Sequence, residues 1–134
     1  MSTQLAAIIR DVARLNNHLS PFSKKNLAVS FGQMSDPQAS LVSGAINDMQ
    51  IKLARMTGES VWNFSLHDDK LIFVHKGRLL MKFRDRDEVI EEGEFIVVPH
   101  GVEHRETVTL DPCEVVLIEQ RINGRAMLAR SELN

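Results

Sequence analysis

Residues 93–108 read GEFIVVPHGVEHRETV. The spacing is Gly93, five residues, Pro99, one residue, Gly101, two residues, His104. Glycine turns a chain where other residues strain, and proline presets the backbone for a tight turn. The run between Gly93 and Pro99 is apolar and rich in β-branched residues, as strands are. The stretch therefore predicts a turn, a strand, a second tight turn, and a further strand that His104 opens. Pro-x-Gly-x-x-His alone is a weak signal. The glycine at a fixed distance before it makes the signal specific.

The same grammar continues upstream. Residues 61–77 read VWNFSLHDDKLIFVHKG, again short apolar runs broken by polar and glycine positions. From about Val42 onward such runs predict strands at 49–56, 60–66, 70–75, 78–84, 88–91, 95–98, 104–109 and 114–120. Many short strands separated by turn signals predict an all-β sandwich or barrel.

The 93–108 spacing resembles the second motif of the cupin superfamily. In the first cupin motif a His-x-His pair, a glutamate and a closing glycine recur at set distances. Gly77 sits at the closing position here. Counting back places Lys70 at the glutamate position, and Ser65 and Asn63 at the two histidine positions. Trp62 before Asn63, and Asp69-Lys70-Leu71, are similar to small single-domain cupins described as mannose-6-phosphate-isomerase-like. So is Asn47–Leu53, taken as a lead-in strand. The resemblance covers roughly residues 42–120. It implies a double-stranded β-helix, or jelly-roll barrel. It also implies a degenerate metal site, since only His104 of the four ligand positions is kept.

Chemistry sharpens that point. Asn63 and Ser65 are neutral and poor ligands, and the Lys70 ammonium has no lone pair to offer. The expectation is a barrel without metal or cofactor. A displaced site from His67, His104 and Glu106 is the rival, because alternate strand residues share a face. Against it, His67 lies beside Asp68-Asp69 at a hairpin tip, His75 has the opposite parity from Lys70, and His100 is inside the Pro-x-Gly turn. Lys70 has two readings: a cation offered to an anionic ligand at an open, hydrated mouth, or an internal partner of Glu106. Asn63, Ser65, Lys70 and His104 are the expected ligand-binding set. Trp62 reads as core or interface.

The chain has 134 residues and a net charge of −2. That length suits one domain, and the charge carries no basic excess for nucleic acid. No run of about 20 apolar residues spans a bilayer, and the N-terminus lacks the basic start of a secretion signal. The default location is the cytoplasm. Cys113 is the single cysteine, so no intrachain disulfide forms. Nothing in sequence near it activates a thiol.

Leu5, Ile8, Val12, Leu15 and Leu19 recur at helical spacing, predicting an amphipathic N-terminal helix. Residues 20–40 read as a loop or irregular arm. The expected division is an N-terminal helix and arm over 1–40, the barrel over 41–122, and a charged tail over 123–134. Strands apolar on both faces, such as Leu71, Ile72, Phe73 and Val74, point to a homodimer.

No nucleophile elbow, phosphate loop or dinucleotide fingerprint is present. Three functions remain open on sequence. One is a metal-free barrel that binds a small polar or anionic molecule, or serves as an interaction module. A second is a cupin-type isomerase or dioxygenase using displaced ligands. The third is an enzyme with His104 as acid or base beside Lys70.

Overall fold

A computed structural model describes residues 23–37 and 39–121, together with the short strand Leu128–Ala129. The apolar stripe from Leu5 to Leu19 lies outside the described residues, as does the tail from Asn123 apart from that strand. The elements in chain order are α1 (Leu27–Gly32), β1 (Ser40–Ile46), β2 (Met49–Glu59), β3 (Asn63–Phe64), β4 (Lys70–Lys76), β5 (Arg78–Phe83), β6 (Asp87–Glu91), β7 (Phe95–Val98), β8 (His104–Gln120) and β9 (Leu128–Ala129). The strands form one antiparallel sheet folded over on itself. The all-β barrel expected from the sequence is what the chain forms. Among the described residues no helix is long and apolar enough to cross a membrane.

β8 organises the barrel. It pairs with β2, β3, β4 and β5. Its C-terminal half lies between β2 and β4, and its N-terminal half pairs with β3 and β5. Residues 104–109 and 114–120 were expected as two strands, with Pro112 between them. They are one. Against β2 the register jumps from Met56↔Cys113 to Gly58↔Val108, so the intervening residues bulge without ending the strand. Proline is tolerated in a strand where such a bulge excuses its missing N–H.

Alternation assigns the two faces. Ile72 pairs with Leu117 and Ile96, and these residues face inward with Val74, Leu79, Met81, Val98 and Val115. Burying each aliphatic side chain is worth about 1.5–3 kcal/mol, whereas an exposed ion pair is worth about 0–1 kcal/mol. The inner apolar cluster therefore holds the barrel.

The outer face is apolar as well. Phe73 pairs with Phe95 and Val116, and Val116 pairs with Leu53. Part of this face is covered by α1, a helix within the stretch expected to be irregular. Asn26 caps it by accepting from the Val29 N–H at 3.0 Å. Phe31 packs down to 1% exposure and stacks on His75 with ring centroids 5.4 Å apart. The Arg55 guanidinium donates to the Phe31 carbonyl at 2.6 Å and to the Met34 and Asp36 carbonyls, while also pairing with Glu114 at 3.1 Å. It thus adds a second acceptor bond to the Phe31 carbonyl, which already accepts from the Met34 N–H, and ties the helix end to β2. So short a helix owes its existence to this docking, which local sequence does not reveal.

Other boundaries moved too. β1 was not anticipated, and Asn47-Asp48, read as the start of a lead-in strand, is the two-residue turn between β1 and β2. Asn47 takes φ +54°, a conformation that asparagine tolerates better than most residues. The strand expected over 60–66 is only Asn63–Phe64; Ser60 keeps a single backbone bond to β8, its N–H donating to the Glu106 carbonyl at 2.9 Å, and Ser65 enters a turn.

Candidate functional site

At one end of the barrel the inner face changes from apolar to polar. On β4 the inward series Val74, Ile72 ends in Lys70. On β8 the inward positions reach His104 and Glu106. Asn63 on β3 stands directly opposite His104, so their side chains share a face.

Lys70 is 7% exposed and its Nζ lies 3.3 Å from Glu106 Oε1. The Ser60 hydroxyl reaches Glu106 Oε2 at 2.8 Å and accepts from the Glu106 N–H at 2.9 Å. His104, 1% exposed, places Nε2 3.7 Å from Glu106 Oε1. Its Nδ1 lies 3.0 Å from the Val102 carbonyl oxygen. A carbonyl only accepts, so Nδ1 carries the proton. Asn63 Nδ2 donates to the Val61 carbonyl at 3.0 Å. That leaves two buried atoms here with no hydrogen-bond partner, Asn63 Oδ1 and His104 Nε2.

The inner register carries the polar lining further. Leu71 pairs with Ile118, so Lys70 lies level with Glu119 on the neighbouring strand. Glu119 pairs with Lys52 at 2.8 Å and accepts from Gln50 Nε2 at 3.4 Å. Both lysines at this end are thus matched to carboxylates.

Burial, followed by the Lys70 ammonium, holds the His104 imidazole below its ordinary value of 6.5 despite the Val102 carbonyl and Glu106. Burial alone would raise the Glu106 carboxyl, but Lys70 and the Ser60 hydroxyl keep it below 4.5. Both groups therefore bind fewer protons when folded than when unfolded, and acid favours unfolding. The His104 contribution is complete above pH 6.5 and is lost as pH falls through its folded value. The Glu106 contribution is lost lower, beginning below 4.5. Urea midpoints should hold steady above about pH 6.5 and then decline in two limbs. His104→Gln should remove the upper limb. A midpoint unchanged between pH 7 and pH 5 would contradict the assignment.

The structure sets Asn63 opposite His104 and links Lys70 to His104 through Glu106. Ser65 sits at the adjoining turn, where its hydroxyl accepts from the Asp68 N–H at 3.2 Å and its carbonyl accepts from Gly101. The Lys70–Glu106 pair replaces the open-mouth arrangement considered for Lys70. The displaced metal site does not assemble: His67 is exposed, and no group of three ligating side chains converges among the described residues. His75 faces outward against Phe31, and His100 bonds Asp69 at 3.0 Å on the surface. Trp62 is half-buried, with the Arg84 guanidinium 3.8 Å from its ring centroid and Arg105 at 5.5 Å. Cys113 is fully buried, and burial, with Glu114 and Glu92, pushes its thiol up to about 11. It is no nucleophile near neutral pH.

Comparison with known proteins decides the family. A cupin-2 domain protein from Shewanella frigidimarina is 32% identical, matches 72% of this chain and 94% of its own, and superposes with a TM-score of 0.68.

The chain belongs to the cupin superfamily.

The structure of NMB1881 from Neisseria meningitidis is similar at 27% identity, covering 74% of this cupin and all of that chain, with a TM-score of 0.66. The uncharacterized protein YdbB of Bacillus subtilis is 29% identical over 107 residues, 72% of this cupin and 95% of that protein. No family model matches. The family commonly holds a metal in the barrel, and the donor set here does not fit one. Lys70 puts a positive charge against the buried Glu106 carboxylate beside His104. Among the described residues no group of three histidine, cysteine or carboxylate side chains converges in this cupin barrel to hold a metal.

Proposed function

We propose that this cupin binds a small polar molecule at the polar end of its barrel, without a metal, through Asn63, Ser65, Lys70 and His104. One observation carries the reading: the buried valences left over there, Asn63 Oδ1 and His104 Nε2, belong to polar groups that an empty or structural barrel would replace with apolar ones. Lys70 and Lys52 already face Glu106 and Glu119. An anion must therefore compete with a carboxylate, and a neutral polar molecule need not. The resemblance to mannose-6-phosphate-isomerase-like cupins belongs to the same proposal, as does a cytoplasmic setting.

The test has two arms. Elemental analysis of protein purified without added metal should find no stoichiometric iron, nickel, manganese or zinc. Titration of labelled protein with glycerol, glucose and inorganic phosphate should then shift the Asn63 and His104 signals saturably with a hydroxylated probe. Near one equivalent of a transition metal, or no shift at these residues with any probe, would refute the reading. Catalysis is the second reading. It is favoured by a neutral imidazole whose Nε2 is bare beside an ammonium, as a general base requires.

We also propose a homodimer through the outer sheet face. Phe95 and Val97 on the edge strand β7 are 62% and 48% exposed and continue the apolar surface of Phe73 and Leu71. Light scattering should report two copies at micromolar concentration, and Phe95→Glu with Val97→Lys should give monomers. A monomeric wild type would overturn this.

A further inference from the structure

We infer that Trp62 is a positioning residue of the polar site: held from outside by Arg84 and Arg105, it fixes segment 60–65 as a wall that presents Ser60 to Glu106 and Asn63 to His104. The segment needs such an anchor. The β2–β8 ladder ends at Glu59↔Thr107, and the next bridge to β8 is Asn63↔His104. Val61 and Trp62, between them, pair with no strand among the described residues. The chain is tied on either side of them. The Ser60 N–H donates to the Glu106 carbonyl at 2.9 Å, and the Ser65 carbonyl accepts from the Gly101 N–H at 2.7 Å.

Parity puts the anchor on the outside. His104 and Glu106 face inward on β8, so Arg105 faces outward, as does Lys82 opposite it on β5. The Arg84 and Arg105 guanidinium carbons lie 3.8 and 5.5 Å from the Trp62 ring centroid, both within cation–π range. A carboxylate holds each guanidinium in turn: Glu103 meets Arg84 at 2.8 Å, and Glu59 meets Arg105 at 3.0 Å. Arg105 also donates to the Ser60 carbonyl at 3.0 Å, so the cation that seats the indole grips the wall as well. On the inner side the Ser60 hydroxyl reaches Glu106 at 2.8 Å, and Asn63 keeps Oδ1 bare opposite His104. The indole acts on the site through these two residues. That the wall serves a ligand rests on the binding reading above; that Trp62 holds the wall does not.

Amide hydrogen exchange tests the hold. In Trp62→Ala the Ser60 and Gly101 amides should exchange about tenfold faster than in wild type, by local opening. The Gly93 and Val74 amides, bonded between β4 and the turn before β7, should not change. Trp62→Phe keeps a ring face for the cations and should restore the wild-type rates. Ser60 and Gly101 exchanging no faster, or all four amides accelerating together, would overturn the inference. Should Trp62→Ala not fold, Arg84→Gln, at an exposed position, takes its place. Ser60 should then exchange about threefold faster, and an unchanged rate would count against Trp62. Titration with glycerol and glucose tests the service to the site. Where a probe shifts the wild-type Asn63 and His104 signals, Trp62→Ala should need about tenfold more of it to saturate. An unchanged affinity would overturn the positioning role. A wild type indifferent to every probe refutes the binding reading instead, and exchange alone then judges Trp62.

Discussion

Glu106→Leu is expected to destabilise the barrel by about 3–5 kcal/mol, the usual cost of leaving one member of a buried ion pair uncompensated. The carboxylate serves Lys70 at 3.3 Å and the Ser60 hydroxyl at 2.8 Å, and the Lys70 side chain is only 8% exposed. Leucine fills much of the space and answers neither partner. The double variant Lys70→Met with Glu106→Leu should recover most of the loss, since a buried pair exchanged for apolar residues of similar volume is often neutral. Urea unfolding of wild type, both single variants and the double variant closes the cycle. Equal losses for Glu106→Leu and the double variant would mean that Lys70 reaches solvent when its partner is gone.

Gly77→Ala should cost about 2–4 kcal/mol, combining backbone strain with crowding. Gly77 is the one-residue link between β4 and β5 and takes φ +96°, which side chains disfavour. A Cβ there would meet the Cys113 Cα at 3.2 Å and the Pro112 carbonyl oxygen at 3.5 Å, both backbone atoms that cannot swing aside. Gly93, at φ +83°, is the control because a Cβ there meets nothing within 4 Å. Gly93→Ala carries the conformational penalty alone, about 1–2 kcal/mol. Thermal unfolding separates the two contributions. If both alanines cost the same, the contact with β8 has no part in the effect.

The fold was legible because its decisive features are local. The glycines at 77, 93 and 101 all take positive φ, as the turn reading required. β4, β5 and β7 fall within a residue of their expected bounds. Elements that depend on distant partners were not legible. β1 carries Gly44 and a bulge beside it, which break the apolar alternation. α1 is fixed by Phe31 and Arg55 against strands later in the chain. The site divides in the same way. His104 and Lys70 stand out by their place in the motifs, and parity alone links Glu106 to His104. The roles of Ser60, Gln50, Lys52 and Glu119 depend on the β2–β8 register, which joins residues as far apart as Gln50 and Glu119. No pattern within a short window encodes that pairing.

The long β8 strand also sets the order in which the chain can fold. Before residue 104 leaves the ribosome, β1–β2, β5–β6 and β4–β7 are the pairs available. Such pairings in isolation are marginal in water. Each still lacks the neighbour that buries its inner face, because β2, β4 and β5 all pair with β8. Closure over long sequence separations is the slow step of folding. Here it waits on one segment, β8, which follows in the chain every strand that it pairs with. Until that segment arrives, the apolar faces of β2, β4 and β5 are open to other chains. The nascent barrel is therefore most exposed to misassembly, and most dependent on chaperones, just before β8 is complete.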